Sequence, residues 1–175
     1  MSSELAILQL GAVIIGGVLA TAGGIFTTIF IENQRRKHDS VQLAMAFKGE
    51  ISALLQHVEE RDYLGRISDV IAQMEETGEP FFMPARIRLQ YDRVYENNVE
   101  RVGLLSYPLP ERIPLFYTRL NSILEDFVNL AEGAYSNLEF PVLLRVYRDL
   151  HRLLELSAED GQSIIREIEV AYRKR

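Results

Sequence analysis

LAILQLGAVIIGGVLATAGGIFTTIFI, residues 5 to 31, has no charged side chain between Glu4 and Glu32 and only Gln9 as a strongly polar one. As an α-helix this run would be about 40 Å long, at about 1.5 Å per residue, against a bilayer hydrocarbon core of about 30 Å. It is long enough to span with some tilt, and a transmembrane helix over 5–31 is the expectation. Two other readings fit less well. A cleavable signal peptide has a basic leading region and an apolar core of about 7–15 residues, whereas here Glu4 leads and no Lys or Arg precedes the run. A buried core helix is seldom uncharged on every side for about seven turns.

The flanks set the orientation. Ser2, Ser3 and Glu4 lie on one side; Arg35, Arg36, Lys37 and His38 follow on the other. Cytoplasmic flanks are enriched in Lys and Arg. The expected topology is therefore a single pass of the cell inner membrane, with the amino terminus outside and the body cytoplasmic. The basic segment 32–40 would sit at the level of anionic headgroups, with Arg35, Arg36 and Lys37 as the lipid contacts.

Inside the run, small residues recur every four positions at Ala12, Gly16, Ala20, Gly24 and Thr28, on one stripe of a helix. Gly17 and Thr21 run beside it, with Gly23 and Thr27 a turn further on. Small side chains let two backbones approach closely, and in lipid such packing drives helix association. A homo-oligomer is expected on this ground; the plainer alternative is that Gly is simply common in membrane helices. The stripe does not fix the number of subunits, and a ring of helices lined by Thr and Gly would be able to enclose water.

Beyond the run, about 140 of the 175 residues remain, enough for one domain with its own core. The net charge is −6, or −5 once Glu4 is set aside, and a mildly acidic body argues against nonspecific nucleic-acid binding. With no Cys there is no disulfide and no thiolate metal ligand, which is compatible with a reducing compartment.

The body, 41–175, reads as helices throughout. Val41, Ala44, Phe47, Ile51, Leu54, Leu55 and Val58 have helical spacing, giving an amphipathic helix over about 40–62 that Asp39 and Ser40 either punctuate or leave continuous with the run. Leu64, Ile67, Val70, Ile71 and Met74 make a shorter helix ending near Thr77-Gly78. The turn-rich Gly78-Glu-Pro-Phe-Phe-Met-Pro84 carries Phe81, Phe82 and Met83, which either fold back on the bundle or offer a contact to a cytoplasmic protein partner. A helix is expected to resume after Pro84, through Ile87, Tyr91, Val94, Tyr95 and Val102, weakened by Asn97 and Asn98. Gly103 and the prolines of 103–114 form a connection, with Pro110 at or before the next first turn. Ile113, Phe116, Tyr117, Leu120, Ile123, Leu124, Phe127, Val128 and Ala131 then make the strongest stripe of the body, closed near Gly133 and expected at the centre. A helix through Val142 to Leu154 comes next, and a last one is expected to start at Ser157, capped with Asp160 three residues on. No stretch alternates with period two. The expected fold is all-α: one amino-terminal span and a cytoplasmic bundle of about five or six helices.

Chemistry is sparse. There is no Gly-rich phosphate loop, HExxH, nucleophile elbow or Cys nucleophile, and the histidines, His38, His57 and His151, do not assemble into a metal site. No cofactor is expected. Arg145-Val-Tyr-Arg-Asp-Leu-His151 resembles the Arg-x4-6-His motif of HEPN ribonucleases, helical proteins in which that Arg and His act on the RNA phosphodiester; Val146 stands where a polar residue usually follows the Arg. The resemblance implies Arg145 and His151 as catalytic candidates. The same residues, with Arg148, Asp149, Arg152 and Glu155, also make an ordinary solvated helix face.

The phrases AFKGEISALL (46–55), YENNVERVGLL (95–105) and IPLFYTRL (113–120) resemble those of small bacterial membrane proteins with one amino-terminal span and a helical cytoplasmic body, which implies that architecture and no particular activity. The layout is also similar to that of CRISPR-associated membrane effectors whose HEPN-like helical domains assemble into pores. The expected function is a membrane-anchored, self-associating, non-enzymatic scaffold or regulatory interaction module. The alternative is an oligomeric pore or HEPN-like ribonuclease effector of a bacterial defence system.

Overall fold

Apolar residues at helical spacing account for the long elements of the chain. The computed structural model describes the backbone of residues 2–82 and 91–173, with side chains from Thr27 onward inside those limits and Gly24. The elements are α1 (Ser2–Glu60), α2 (Tyr63–Thr77), α3 (Arg93–Glu96), a 3-10 helix η1 (Val99–Leu104), α4 (Leu109–Ala131) and α5 (Phe140–Tyr172). No strand occurs among the described residues, so the fold is all-α. Contacts divide the chain into two units, residues 1–40 and 41–175.

In the first unit the backbone is helical throughout from Ser2, and Asp39 and Ser40 do not interrupt α1. Among the described residues no helix is long and apolar enough to cross a membrane. The expected span 5–31 falls mostly outside the residues whose side chains are described, so the transmembrane helix gains no support from the structure. The stripe positions Ala12, Gly16 and Ala20 lie outside the described side chains as well.

The second unit is built on α4 and α5. Leu109, Ile113, Phe116, Tyr117 and Leu120, from the first half of α4, cluster with Ile164, Ile168 and Tyr172 near the end of α5 and with Leu43, Phe47 and Ile51 of α1. Ile123, Phe127 and Leu130, from the second half of α4, cluster instead with Leu143, Tyr147, Leu150 and Leu154 early in α5 and with Ile67, Val70 and Met74 of α2. Pairing first half with second half makes α4 and α5 antiparallel, with α1 over one end of the pair and α2 over the other. Each side chain buried in this way contributes about 1.5–3 kcal/mol relative to exposure, and cutting Phe116 back to Ala would cost about 3–5 kcal/mol.

Local signals explain the ends. Pro110 lies in the first turn of α4, where its missing N–H has no helical acceptor to lose. Gly133, at φ 74°, takes the left-handed conformation just past the helix. Asp62 also adopts positive φ, at 48°, and its carboxylate accepts from the Gly65 N–H at 3.3 Å, turning the chain from α1 into α2.

Two expectations are corrected. There is no separate last helix: α5 runs unbroken through Ser157, which is buried at 4% exposure rather than capping an end. The stretch lacks a proline, and its one glycine is used for packing. A Cβ on Gly161 would stand 3.0 Å from Phe116, 3.2 Å from Leu55 and 3.3 Å from Ile51, so a bare backbone lets α5 lie close to both α4 and α1. The helix expected after Pro84 does not run on through Tyr91 to Val102 as one element. Residues 83–90, including Ile87, lie outside the described residues, and the next elements are the four-residue α3 and then η1. The side-chain amides of Asn97 and Asn98 donate back to the carbonyls of Arg93 (2.7 Å) and Val94 (2.8 Å), the local competition with helix that these residues favour.

Candidate functional site

Arg35, Arg36 and Lys37 of the first unit are exposed, and Arg36 pairs with Glu32 one turn back at 3.1 Å, both side chains more than half exposed. Such a pair adds little stability and leaves the segment a cationic surface. Of the small-residue stripe, Thr28 donates its hydroxyl to the Gly24 carbonyl at 2.9 Å, and a Cβ on Gly24 would meet nothing within 4 Å. Gly24 is thus not required for packing among the described residues.

The aromatic loop divides. Phe81 packs on the α2 end of the core, Phe82 is 38% exposed, and Met83 lies outside the described residues. Phe82 alone is open to a partner among the two that are described.

Arg145 and His151 do not come together. Six residues apart on one helix, they point about 120° from each other. Arg145 is exposed, while His151 faces α2 and its Nε2 lies 3.0 Å from the Ser68 hydroxyl. Arg148 reaches the Glu75 carboxylate of α2 at 2.6 Å. These are cross-helix contacts between α2 and α5. Ser68, Glu75, Arg148 and His151 line one open groove; a nucleophilic site would need the carboxylate to orient the imidazole, and the Glu75 carboxylate instead accepts from Arg148. No three His, Asp or Glu side chains converge as a metal site among the described residues.

Two sites were not foreseen from sequence. The first surrounds Glu50. Its carboxylate accepts from the backbone N–H groups of Val94 (2.6 Å) and Tyr95 (3.2 Å) and from the Tyr117 hydroxyl, holding a negative charge at the start of α3. Tyr95 stacks on Tyr117 with ring centroids 4.3 Å apart and planes 8° apart. Burial first, then the hydrogen bond to Glu50, pushes the Tyr117 phenol well above its ordinary value. Glu50 therefore fastens the 93–104 connection to α1 and α4. In sequence it is one acidic residue off an apolar stripe, and its partners lie more than forty positions away.

The second is a mostly apolar cavity of about 50 Å³ between α1, α4 and α5, lined by Leu54, Leu120, Ile123 and Leu154 and edged by His57, Tyr63 and Tyr91. The His57 ring lies 5.6 Å from that of Tyr91 and 6.1 Å from that of Tyr63, with Nε2 at 3.5 Å from the Tyr91 hydroxyl. A volume of this size takes about one or two waters. The half-buried His57 is thus held among rings rather than offered as a ligand.

Between α4 and α5, Arg112 donates to Asp160, Glu167 and the Ser163 hydroxyl, and Arg119 reaches Asp160 at 3.3 Å. Desolvation would lower the Arg112 guanidinium, but the two carboxylates outweigh it and hold it above its ordinary value. This network fixes the register of the two long helices and belongs to the scaffold. Comparison with protein-family models, curated proteins and solved structures returns no match.

Proposed function

We propose that the chain is a membrane-anchored, self-associating helical protein that acts as a non-enzymatic interaction module at the inner face of the membrane. The run 5–31 holds it in the bilayer, with Gly16, Ala20 and Gly24 packing against other copies. Arg35, Arg36 and Lys37 engage the inner leaflet, and the bundle 41–175 offers its surface to a cytoplasmic protein partner. The observation that carries this is the uncharged run of 27 residues flanked on one side by a basic cluster, a pattern with a single inexpensive solution in lipid: a helix that satisfies its own backbone hydrogen bonds. Consistent with a binding role, the polar networks at Glu50 and Arg112 tie helices to one another.

The absence of cysteine makes a direct test available. Single cysteines at Ser2 and at the exposed Ser136 report sidedness when intact cells are treated with a membrane-impermeant maleimide. The expected result is labelling of Ser2→Cys from outside, labelling of Ser136→Cys only after lysis, and retention of both proteins in the membrane through alkaline carbonate. Release by carbonate would overturn the anchor, and labelling of Ser136→Cys in intact cells would overturn the orientation.

A further inference from the structure

The two most exposed large apolar side chains described in the bundle are Tyr107, at 80%, and Val170, at 77%. They line the same groove, of about 360 Å³, with Pro108, Ser163, Ala171 and the oppositely charged Arg166 and Glu167. Their proximity results from the packing beneath. The Ser106 N–H donates to the Tyr172 hydroxyl at 2.9 Å, and Tyr172 shares a core cluster with Leu43 and Ala44. Lys48 pairs with Glu169 at 2.6 Å. The groove therefore lies at the end of the bundle that carries its first residues, 41–48.

The groove is lined by one cation, Arg166, and one carboxylate, Glu167. Arg166, Val170 and Arg173 occur at i, i+4 and i+7 and share one face of α5. Arg166 has no carboxylate partner among the described residues. The neighbouring carboxylates are engaged: Glu167 by Arg112, and Glu169 by two cations, Lys48 and Arg173. An exposed tyrosine and valine between arginines form the composition of a surface that lies on anionic lipid, the apolar groups entering the interfacial zone and the cations meeting phosphate.

We propose that this groove docks on the anionic headgroup surface of the membrane, as a second contact of the body with the bilayer. The inference rests on the anchored reading above. Leu43 lies twelve residues beyond Ile31, so the chain cannot place it more than about 43 Å from the apolar run in any conformation. That bound keeps the bundle near the surface at high effective concentration, so that a contact too weak to hold a free protein is populated. Tyrosine suits such a site because its ring is apolar and its hydroxyl remains wet.

The chain has no Trp, so Tyr107→Trp makes the full-length protein a single-tryptophan reporter. The protein is reconstituted in vesicles of phosphatidylcholine alone and in vesicles containing phosphatidylglycerol. The expected result is emission at shorter wavelength, and quenching by lipid brominated near the headgroup, only in the anionic vesicles. Both effects should disappear as salt shortens the screening length from about 8 Å at 0.15 M to about 3 Å at 1 M. Adding Arg166→Glu and Arg173→Glu should weaken the contact about fivefold or more per charge, following about 1 kcal/mol per basic residue at such a surface. Val142→Trp, exposed near the other end of α5, should remain in water throughout. Identical emission in the two vesicle types overturns the proposal. So does shielding that rises with protein density but shows no lipid quenching, which would mean a second copy in the groove. Alkaline carbonate separates the two levels: a protein that washes off defeats the anchor itself, and one that stays embedded with an unquenched reporter defeats only the docking.

Discussion

Glycine at 161 should be required where glycine at 49 is not. Both lie inside long helices, where Gly is about 1 kcal/mol less favourable than Ala. A Cβ on Gly49 meets nothing within 4 Å, so Gly49→Ala gains most of that difference. At Gly161 the same atom would lie 3.0–3.3 Å from Phe116, Leu55 and Ile51, which belong to two different helices and are packed in the core. Forcing carbon into a filled core costs about 1–3 kcal/mol. Gly161→Ala should then fall between neutral and about 2 kcal/mol destabilising, once the gain in helix propensity is subtracted. Gly161→Val adds two methyl groups and recovers less propensity, for a net loss of about 2–3 kcal/mol. At about 2–4 °C per kcal/mol for a chain of this size, Gly49→Ala should raise the Tm of the detergent-solubilised protein by about 2–4 °C, and Gly161→Val should lower it by about 4–12 °C. Circular dichroism at 222 nm follows both transitions. A Gly161→Val protein as stable as wild type would mean that α5 does not approach α1 and α4 at this point, and the packing assigned to this core would be wrong.

Glu50→Gln keeps the shape of the hub but removes the charge shared by two N–H donors and a phenol, for a loss of about 1.5–3 kcal/mol; the amides of Val94 and Tyr95 should exchange faster with deuterium, and unchanged protection would refute the hub. Lys48, by hydrogen bond first and charge second, holds the Glu169 carboxyl below its ordinary value of 4.5. Stability from that pair is thus present above this value and lost as pH falls through the lowered one; Glu169→Gln should flatten this part of the acid limb, and an identical limb in the variant would argue against the pair. Arg145→Ala combined with His151→Ala should leave any in vivo phenotype of the wild-type gene intact, because His151 is engaged with Ser68 of α2; loss of the phenotype with normal protein levels would favour the ribonuclease interpretation.

The helical class was legible because the body keeps a 3.6-residue period across α4 and α5, where tertiary packing and local pattern agree. Ile113 through Leu130 needed only their own spacing to be placed in a core. The errors arose where local signals compete with distant contacts. Ser157 and Asp160 present a capping pattern, yet Ser157 is buried in α5 and Asp160 is turned toward Arg112 and Arg119 of α4. Gly161 resembles a weak point until Phe116, Leu55 and Ile51 are seen against it. The Glu50 hub and the Tyr107–Val170 groove were illegible for a related reason: each joins residues more than forty positions apart, and a single sequence records no partner at that range.

Self-association in the membrane is the central claim, and the mass of the full-length particle in nanodiscs tests it most directly. Gly24 offers open space to a larger side chain among the described residues, so a Gly16→Leu, Gly24→Leu variant should insert and fold while losing the close helix approach. The account predicts a multimeric particle for the wild-type protein that falls to a monomer in the variant. A wild-type monomer, or an oligomer indifferent to both substitutions, would contradict it.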